Sequence, residues 1–283
     1  MYRRLFHGNQ GAAINKLARA INFDTMLNIT PNNEENWMSI ISEMLARLPQ
    51  EPIPVRNVVI GVHWTLVSSR HSGLGSTMVN SGPHGTGRMR DVGRLLEKSA
   101  QELAGWLESD NLLEASVGIA ALNSLIDIDE ERVHMNLNAA EVIAEKSAGK
   151  NLVIVGHFPF INRMKSVVRN LWTIEKNPFG DDYPEAAAMD LIPQADVVAI
   201  TGTAFINQTV EGLLALCRSD AQVMILGSST PLMPILFEHG IDYLSGSRII
   251  DETAAIRTIQ QGAGFPQVEG VQVVTMVKSE WSF

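Results

Sequence analysis

The sequence predicts an α/β protein whose C-terminal part forms a Rossmann-like, mostly parallel sheet. The first observation is the run NLVIVGHFPFIN at 151–162, in which an apolar segment of strand length ends at Gly156. The second is that strand-like and helix-like segments alternate from about residue 151 onward, as in parallel sheets with crossover helices. The third is that strand-like segments come first and helical segments follow between 55 and 126, which is typical of an α+β unit.

The first fifty residues predict a helical arm. Apolar positions recur at helical spacing over 10–21 and 34–48, and the proline-rich segment PQEPIP then ends the arm. We therefore predict three regions: a helical N-terminal extension over 1–50, an α+β domain over 51–148 and a Rossmann-like domain over 149–283.

The elements of the two later regions follow from local patterns. In the α+β region we predict strands in 55–70 and at STMV (76–79), then helices over 91–107 and 112–126. Small residues cover much of the second helix and would let another backbone or a ligand approach closely. For the Rossmann-like region we predict strands at 152–156, 171–175, 195–201, 222–227, 241–246 and 271–277, and helices at 159–170, 185–190, 207–218, 231–239 and 252–262.

Composition narrows the classes of partner. Lys and Arg number 22 against 31 Asp and Glu, and the net charge of -9 argues against nucleic acid, whose binding needs clustered positive charge. The single cysteine, Cys217, excludes a disulfide within the chain and a thiolate zinc cluster, and its helical context predicts a core thiol. We find no signal-peptide pattern and no apolar run near the ~18 residues of a membrane span. We therefore expect a cytoplasmic protein without a membrane partner.

The loop after the first parallel strand is the leading candidate for chemistry. Ligands of doubly wound sheets bind at the carboxyl ends of the strands. Phe158 and Phe160 stand where a dinucleotide loop would carry further glycines, so ordinary NAD or FAD binding is disfavoured. His157 is a candidate metal ligand or acid/base near neutral pH; the alternative is an imidazole that only caps the strand end by hydrogen bonding.

The loops after the next strands supply further candidates. Glu175 follows Gly156 by 19 residues at a strand end, where an acidic residue can bind a ribose or another polar ligand; a surface glutamate is the equal alternative. Asp182 and Tyr183 belong to a polar cluster. Its oxygen atoms are of the kind that binds hard cations, although turn formation explains the neighbouring Asp181.

The third and fourth strand ends carry hydroxyl groups. Thr201 ends the third strand, and Asn207 is predicted as a helix N-cap. In GSSTPLMP, Ser229 and Thr230 either bind an anion or carboxylate at a helix start or simply cap that helix.

Four segments together resemble a known family. They are EASVGIAALNS (114–124), VGHFPFI (155–161), DYPEAAAMDLIPQADVVAITGTAFIN (182–207) and LGSSTPLMPILFEHGIDYLSG (226–246), in this order. The family is prokaryotic, of unknown function, and labelled "putative heavy-metal chelation". The resemblance implies a small domain like the N-terminal domain of enolase, a Rossmann-like domain, and an active site in the cleft between them.

The resemblance also matches positions with chemistry, among them Ser116 and Asn123 of the small-residue helix. Together with the strand-end residues they give the predicted site. We predict His157 and Tyr183 as catalytic residues, and ligand contacts from Gly156, Glu175, Asp182, Thr201, Asn207, Ser229, Thr230, Ser116 and Asn123.

The predicted function is to bind or process a small metal-chelating molecule, or its metal complex, in the inter-domain cleft. A transition metal or its chelate is then the cofactor candidate, and the partner is a small molecule. Two alternatives stay open: a transferase that uses a nucleoside cofactor such as S-adenosylmethionine, and a non-catalytic ligand sensor. A homo-oligomer also stays open.

Overall fold

The computed structural model describes residues 38–80, 88–135 and 137–281, and its first helix is α1 (Ile40–Ala46). The Ser39 hydroxyl caps this helix by accepting the backbone N–H of Ser42. Buried Ile40, Ile41 and Met44 attach α1 to the core. The described part of the predicted helix over 34–48 thus contains α1, while residues 34–37 and the helix predicted over 10–21 lie outside the described residues.

A small antiparallel sheet follows α1. Its strands are β1 (Asn57–Ile60), β2 (Trp64–Ser68) and β3 (Ser72–Ser76), paired in the order β1-β2-β3. The predicted strand at STMV is wrong, because the strand lies earlier in the glycine-containing segment. A Cβ on Gly73 would lie 2.1 Å from the carbonyl oxygen of Ala120, so glycine is needed where the strand meets the helix behind it.

Helix α3 (Leu112–Asn123) packs against this sheet, and α2 (Ala100–Ala104) packs against α3. The single helix predicted over 91–107 is wrong in extent. The chain forms turns and a short 3-10 helix first, and α2 begins only at a capping box between Ser99 and Glu102. In α3, a Cβ on Gly118 would lie 2.2 Å from the backbone nitrogen of Leu107. The small residues of α3 therefore serve close backbone packing.

The larger sheet has seven strands within the described residues, in the order β10-β9-β8-β7-β4-β5-β6. All its neighbours are parallel except β9 and β10, which pair antiparallel, so the expectation that the last strand joins by a parallel crossover is wrong. Its strands are β4 (Asn151–Val155), β5 (Asn170–Glu175), β6 (Tyr183–Pro184), β7 (Val197–Thr201), β8 (Gln222–Leu226), β9 (Tyr243–Ile249) and β10 (Val271–Val277).

Short helices connect these strands. They are α4 (Ala139–Ser147), α5 (Ile161–Met164), α6 (Ala188–Leu191), α7 (Thr203–Ile206), α8 (Val210–Ala215) and α9 (Glu252–Gln260). The helix predicted over 159–170 is therefore reduced to α5. The chain also forms 3-10 helices at Leu95–Glu97, Gly105–Glu108, Glu130–Arg132, Glu185–Ala187, Ile192–Gln194, Pro234–His239, Phe265–Gln267 and Lys278–Glu280.

The described residues belong to one compact unit, Met38–Phe283. One buried cluster joins Val117 and Ala120 of α3 to Ile200 of β7 and Phe205 of α7, so the small sheet and the large sheet share a core. The predicted α/β class with a mostly parallel sheet is confirmed, while the region boundaries at 50 and 148 stay predictions. Within the described part of the chain, no helix has the length and apolarity needed to cross a membrane.

Candidate functional site

A cleft opens at the carboxyl ends of the parallel strands, and its larger chamber has a volume of about 600 Å³. Turns after β4, β7 and β8 form one side, while Trp64 and Ser76 of the small sheet reach it from the other. Aromatic and other apolar groups make one part of the lining: Trp64, Leu137, Phe158, Phe160, Phe265 and Pro266. Hydroxyl groups make another: Ser76, Thr201, Thr203, Ser228, Ser229 and Ser245. The chamber is thus suited to an organic molecule with a few polar groups.

A second chamber of about 410 Å³ lies toward β5. Its lining carries the charged side chains of Glu175, Lys176 and Glu185. The Lys176 ammonium lies 3.7 Å from a Glu185 carboxylate oxygen, and Glu175 accepts the backbone N–H of Lys176. This smaller chamber is therefore the more polar of the two.

Four residues line both chambers: Ser76, His157, Thr201 and Thr203. The His157 side chain is 53% exposed, and its Nδ1 lies 3.3 Å from Oδ2 of Asp182, whose side chain is only 6% exposed. The hydroxyls of Thr201 and Thr203 are 3.0 Å apart. We call these four residues the shared wall.

The turn after β4 sets the position of His157. Gly156 has φ of +102°, a conformation that side chains of L-residues rarely adopt, and a Cβ there would lie 2.9 Å from Cβ of Thr201. Its backbone N–H is bonded to the Ile174 carbonyl of the neighbouring strand. Glycine at this position therefore allows β4 to end tightly against β7 and to direct the next residue into the cleft.

The structure brings six predicted site residues to the chambers: Gly156, His157, Glu175, Thr201, Asn207 and Ser229. Asp182 joins them through its contact with His157. Tyr183 is 40% exposed at the sheet edge, outside both linings.

Three more predicted residues lie behind the cleft. The Ser116 hydroxyl accepts the N–H of Met78, and the Asn123 amide donates to the carbonyl of Leu74, so both tie α3 to the segment at and after β3. Thr230 is 2% exposed, and its hydroxyl has no hydrogen-bond partner among the described residues.

The predicted N-cap role of Asn207 is wrong, and the capping alternative for Ser229 is not observed. Asn207 is the C-cap of α7, and its side chain accepts from the backbone and the hydroxyl of Thr209, which itself precedes α8. Ser229 does not cap a helix, because the segment after it stays extended until the 3-10 helix at Pro234. Its hydroxyl accepts the N–H of Ser76 at 2.9 Å instead and thereby joins the two sheets.

The expectation that ligands bind at the carboxyl ends of the strands did not lead to every lining residue, and the missed residues are of two kinds. Thr203 and Ser228 lie in the predicted loops and could have been chosen on that expectation. Trp64, Ser76 and Phe265 come from other parts of the chain, and no local pattern marks them as cleft residues.

The described residues contain no group of three or more His, Cys, Asp or Glu side chains arranged to hold a metal ion. Cys217 adds no ligand, since burial raises the pKa of its thiol to about 12 and keeps it protonated near neutral pH. Protein side chains of the described part therefore do not by themselves enclose a metal.

The fold and the cleft define a class of α/β protein in which a small antiparallel sheet closes over the strand ends of a mostly parallel one. Two family models match this chain, DUF4213 over residues 41–126 and DUF364 over residues 138–278. Both are described as "putative heavy-metal chelation", and the chain belongs to this family.

Solved structures agree with this assignment. A DUF364-family protein of unknown function from Desulfitobacterium hafniense is 29% identical, with a TM-score of 0.75 over 84% of this chain and 98% of the other. A second one, from Pyrococcus horikoshii, is 18% identical with a TM-score of 0.68 over the same shares, and shows the fold alone. An uncharacterised protein of Methanocaldococcus jannaschii is 24% identical over 178 residues, 61% of this chain and 68% of its own length. None of these descriptions names a ligand.

Proposed function

We propose that the cleft binds a small metal-chelating molecule together with its metal ion, and that His157 supplies a nitrogen ligand to that ion. The observation that carries the proposal is the position of the imidazole in the shared wall, where it is half exposed and touches both chambers. The family description points to the same chemistry.

The Asp182 carboxylate supports this role. It lies 3.3 Å from Nδ1 of His157, and among the described residues no group forms a hydrogen bond with Nε2. Histidines that bind metals commonly present one ring nitrogen to the metal and the other to a carboxylate, which fixes the ring. Asp182 is therefore placed to fix the His157 ring through Nδ1, and Nε2 on the opposite side of the ring is left to bind a metal.

The chelator would supply most of the coordination shell. This follows from the donor set, because the described residues offer His157 without two further His, Cys, Asp or Glu side chains around a common point. The volume of about 600 Å³ is in the range of pockets for small organic molecules. The predicted cytoplasmic location is kept as part of this proposal.

Calorimetric titration of the untagged protein with the nickel–nitrilotriacetate complex tests the proposal, since this complex leaves coordination positions open for a protein ligand. We expect one complex per chain. His157→Ala should weaken binding at least about tenfold, and Asp182→Asn about tenfold, the usual effect of losing a group that orients a metal ligand. His71→Ala is the matched control, because the His71 side chain is 52% exposed, also lies beside an aspartate, Asp127, and lines neither chamber.

Two results would contradict the proposal. One is that neither free nor chelated nickel binds at any pH from about 6 to about 8. The other is that the His157 and His71 variants bind the complex equally well.

A second candidate is a transferase that uses a nucleoside cofactor. The position of Glu175 favours it, because this carboxylate lines the smaller chamber directly after β5, where a ribose is commonly bound. The bulky turn at Phe158 and Phe160 argues against it. If S-adenosylmethionine binds the wild type, Glu175→Ala should abolish that binding while His157→Ala should not; no thermal shift with the wild type would eliminate this candidate.

A further inference from the structure

The larger chamber has flat aromatic walls. The rings of Trp64 and Phe265 lie 5.5 Å apart between centroids, and those of Phe158 and Phe160 stack at 5.3 Å with an interplanar angle of 17°. All four rings line the chamber. Planar apolar ligands gain most from such surfaces, because ring faces and edges then stay in contact over a large area.

Two lining residues of this chamber also carry polar atoms without partners. Nε1 of Trp64 and Oγ of Ser228 are buried and form no hydrogen bond with the described residues, and Ser228 as a whole is only 6% exposed. A buried polar atom left without a partner costs free energy. The indole N–H can only donate, and the serine hydroxyl can also donate. Each of these groups could therefore donate a hydrogen bond to an accepting oxygen of a ligand.

The charge of the lining points the same way. Among the described residues that line the larger chamber there is no Asp, Glu, Lys or Arg, and His157 is the ionisable side chain. A bound ammonium group would therefore lose its water without gaining a carboxylate partner, whereas an oxygen group finds the unpartnered donors of Trp64 and Ser228, although no Lys or Arg.

We infer that the larger chamber binds a planar, mainly apolar organic group that carries an accepting oxygen, such as a carboxylate, a carbonyl or a phenolate. The inference adds the chemical class of the molecule that the proposed function places in the cleft. It rests on the proposed function only for the choice of that cleft. Trp64 and Ser228 donate hydrogen bonds to the oxygen, and the aromatic side chains pack against the planar group. Oxygen groups of this kind are also metal ligands, which is compatible with the chelating molecule of the proposed function.

The probe is 2-naphthoate, with 2-naphthylmethylammonium as its cationic counterpart, both added without metal. We expect the carboxylate to bind at least about tenfold more tightly than the amine. Trp64→Phe and Ser228→Ala should each weaken naphthoate binding by about tenfold, the usual worth of a hydrogen bond to a charged group.

The chain offers matched controls. Ser247 and Trp281 also carry buried polar atoms without partners among the described residues, but neither lines a chamber. Ser247→Ala and Trp281→Phe should therefore leave naphthoate affinity within about twofold. Indole ¹⁵N–¹H spectra of the wild type add a readout that needs no variant to fold: naphthoate should shift the Trp64 signal and leave that of Trp281 in place.

The inference is overturned if the wild type does not bind naphthoate, if the amine binds as tightly, or if the two chamber variants behave like their controls. Because these titrations contain no metal, they are separable from the nickel experiment. Naphthoate binding without nickel–chelate binding would remove the proposed metal role and keep the ligand class.

Discussion

The two ends of the parallel strands treat their polar groups differently. At the amino ends, the Asp196 carboxylate accepts the N–H of Asn151 at 2.9 Å, and Asp242 accepts the N–H of Val223 at the same distance. At the carboxyl ends, the hydroxyls of Ser228 and Thr230 are buried without a partner among the described residues. At the amino ends, carboxylates of the protein thus pair with backbone N–H groups, while the carboxyl ends carry two buried hydroxyls without a partner among the described residues.

Within one sheet, the amino ends of the strands thus contribute to stability, while the carboxyl ends contribute to binding. A strand end leaves peptide groups unpaired, and side chains from fixed loops satisfy them at low cost in entropy. Unpartnered hydroxyls do the reverse, since they lower stability until another molecule pairs with them. We therefore expect substitutions at the amino ends to act on unfolding alone, and those of cleft-lining residues at the carboxyl ends, such as Ser228, to act on ligand binding as well.

The largest expected effect concerns the backbone of the carboxyl ends. Gly156→Ala combines a positive φ with a contact of 2.9 Å to Cβ of Thr201, and should lower the free energy of unfolding by roughly 3 kcal/mol. Urea denaturation measures it. Gly180→Ala is the control, because Gly180 also has a positive φ but nothing lies within 4 Å of its Cβ position, so it should cost only about 1 kcal/mol. Equal losses would mean that the contact with Thr201 does not matter.

A smaller effect is expected at the amino ends. The backbone N–H of Asn151, with Arg218 nearby, lowers the pKa of Asp196 below its ordinary value. Asp196→Ala should cost about 2 kcal/mol near neutral pH, because it leaves that N–H without its acceptor, and should not change ligand binding.

The pH dependence of this effect has a definite sign. Above the ordinary pKa of about 4 the carboxylate is ionised in both the folded and the unfolded state, so its stabilisation is fully present. As the pH falls below that value toward the lowered pKa of the folded state, the unfolded chain takes up the proton first and the stabilisation is lost. The stability difference between wild type and variant should therefore shrink on acidification. Arg218 also lowers the pKa of Asp220, but solvent screens this exposed pair, so Asp220→Ala should show both effects only weakly.

The smallest effect has the opposite direction. Thr230→Val removes a buried hydroxyl without a partner among the described residues and keeps the side-chain shape, so it should raise the free energy of unfolding by about 1 kcal/mol in the absence of ligand. Thr275→Val is the matched control, since that buried hydroxyl donates to Ser245 and to the Leu137 carbonyl, and its loss should destabilise the protein. If both variants are destabilised, the buried Thr230 hydroxyl does not lower the stability of the protein.

The sequence was sufficient for most strands of the large sheet and for one side of the cleft, but it predicted neither β6 nor the antiparallel pairing of β10. The apolar run before Gly156 predicted β4, and the rule that ligands bind at the carboxyl ends of strands led to His157, Glu175 and Thr201, all of which line a chamber. These predictions succeed because each depends on a few consecutive residues.

The rest depends on contacts between distant segments. Gly73 and Gly75 make a segment look like a loop, yet β3 needs them because α3 packs directly against its backbone. Trp64 and Phe265 lie in separate parts of the chain, and only the meeting of the two sheets makes them neighbours. The predicted role of Asn207 as an N-cap failed because α7, too short to be marked by periodicity, ends there.

The shared wall has a thermodynamic consequence. His157 and Thr203 face both chambers, so any rotation of these side chains that widens one compartment narrows its neighbour. A ligand that rotates these side chains from one compartment would alter affinity in the other, and linkage requires the influence to be equal in both directions. A single molecule long enough to pass the imidazole would join two weak associations into one strong one, because its second half arrives already concentrated beside its site.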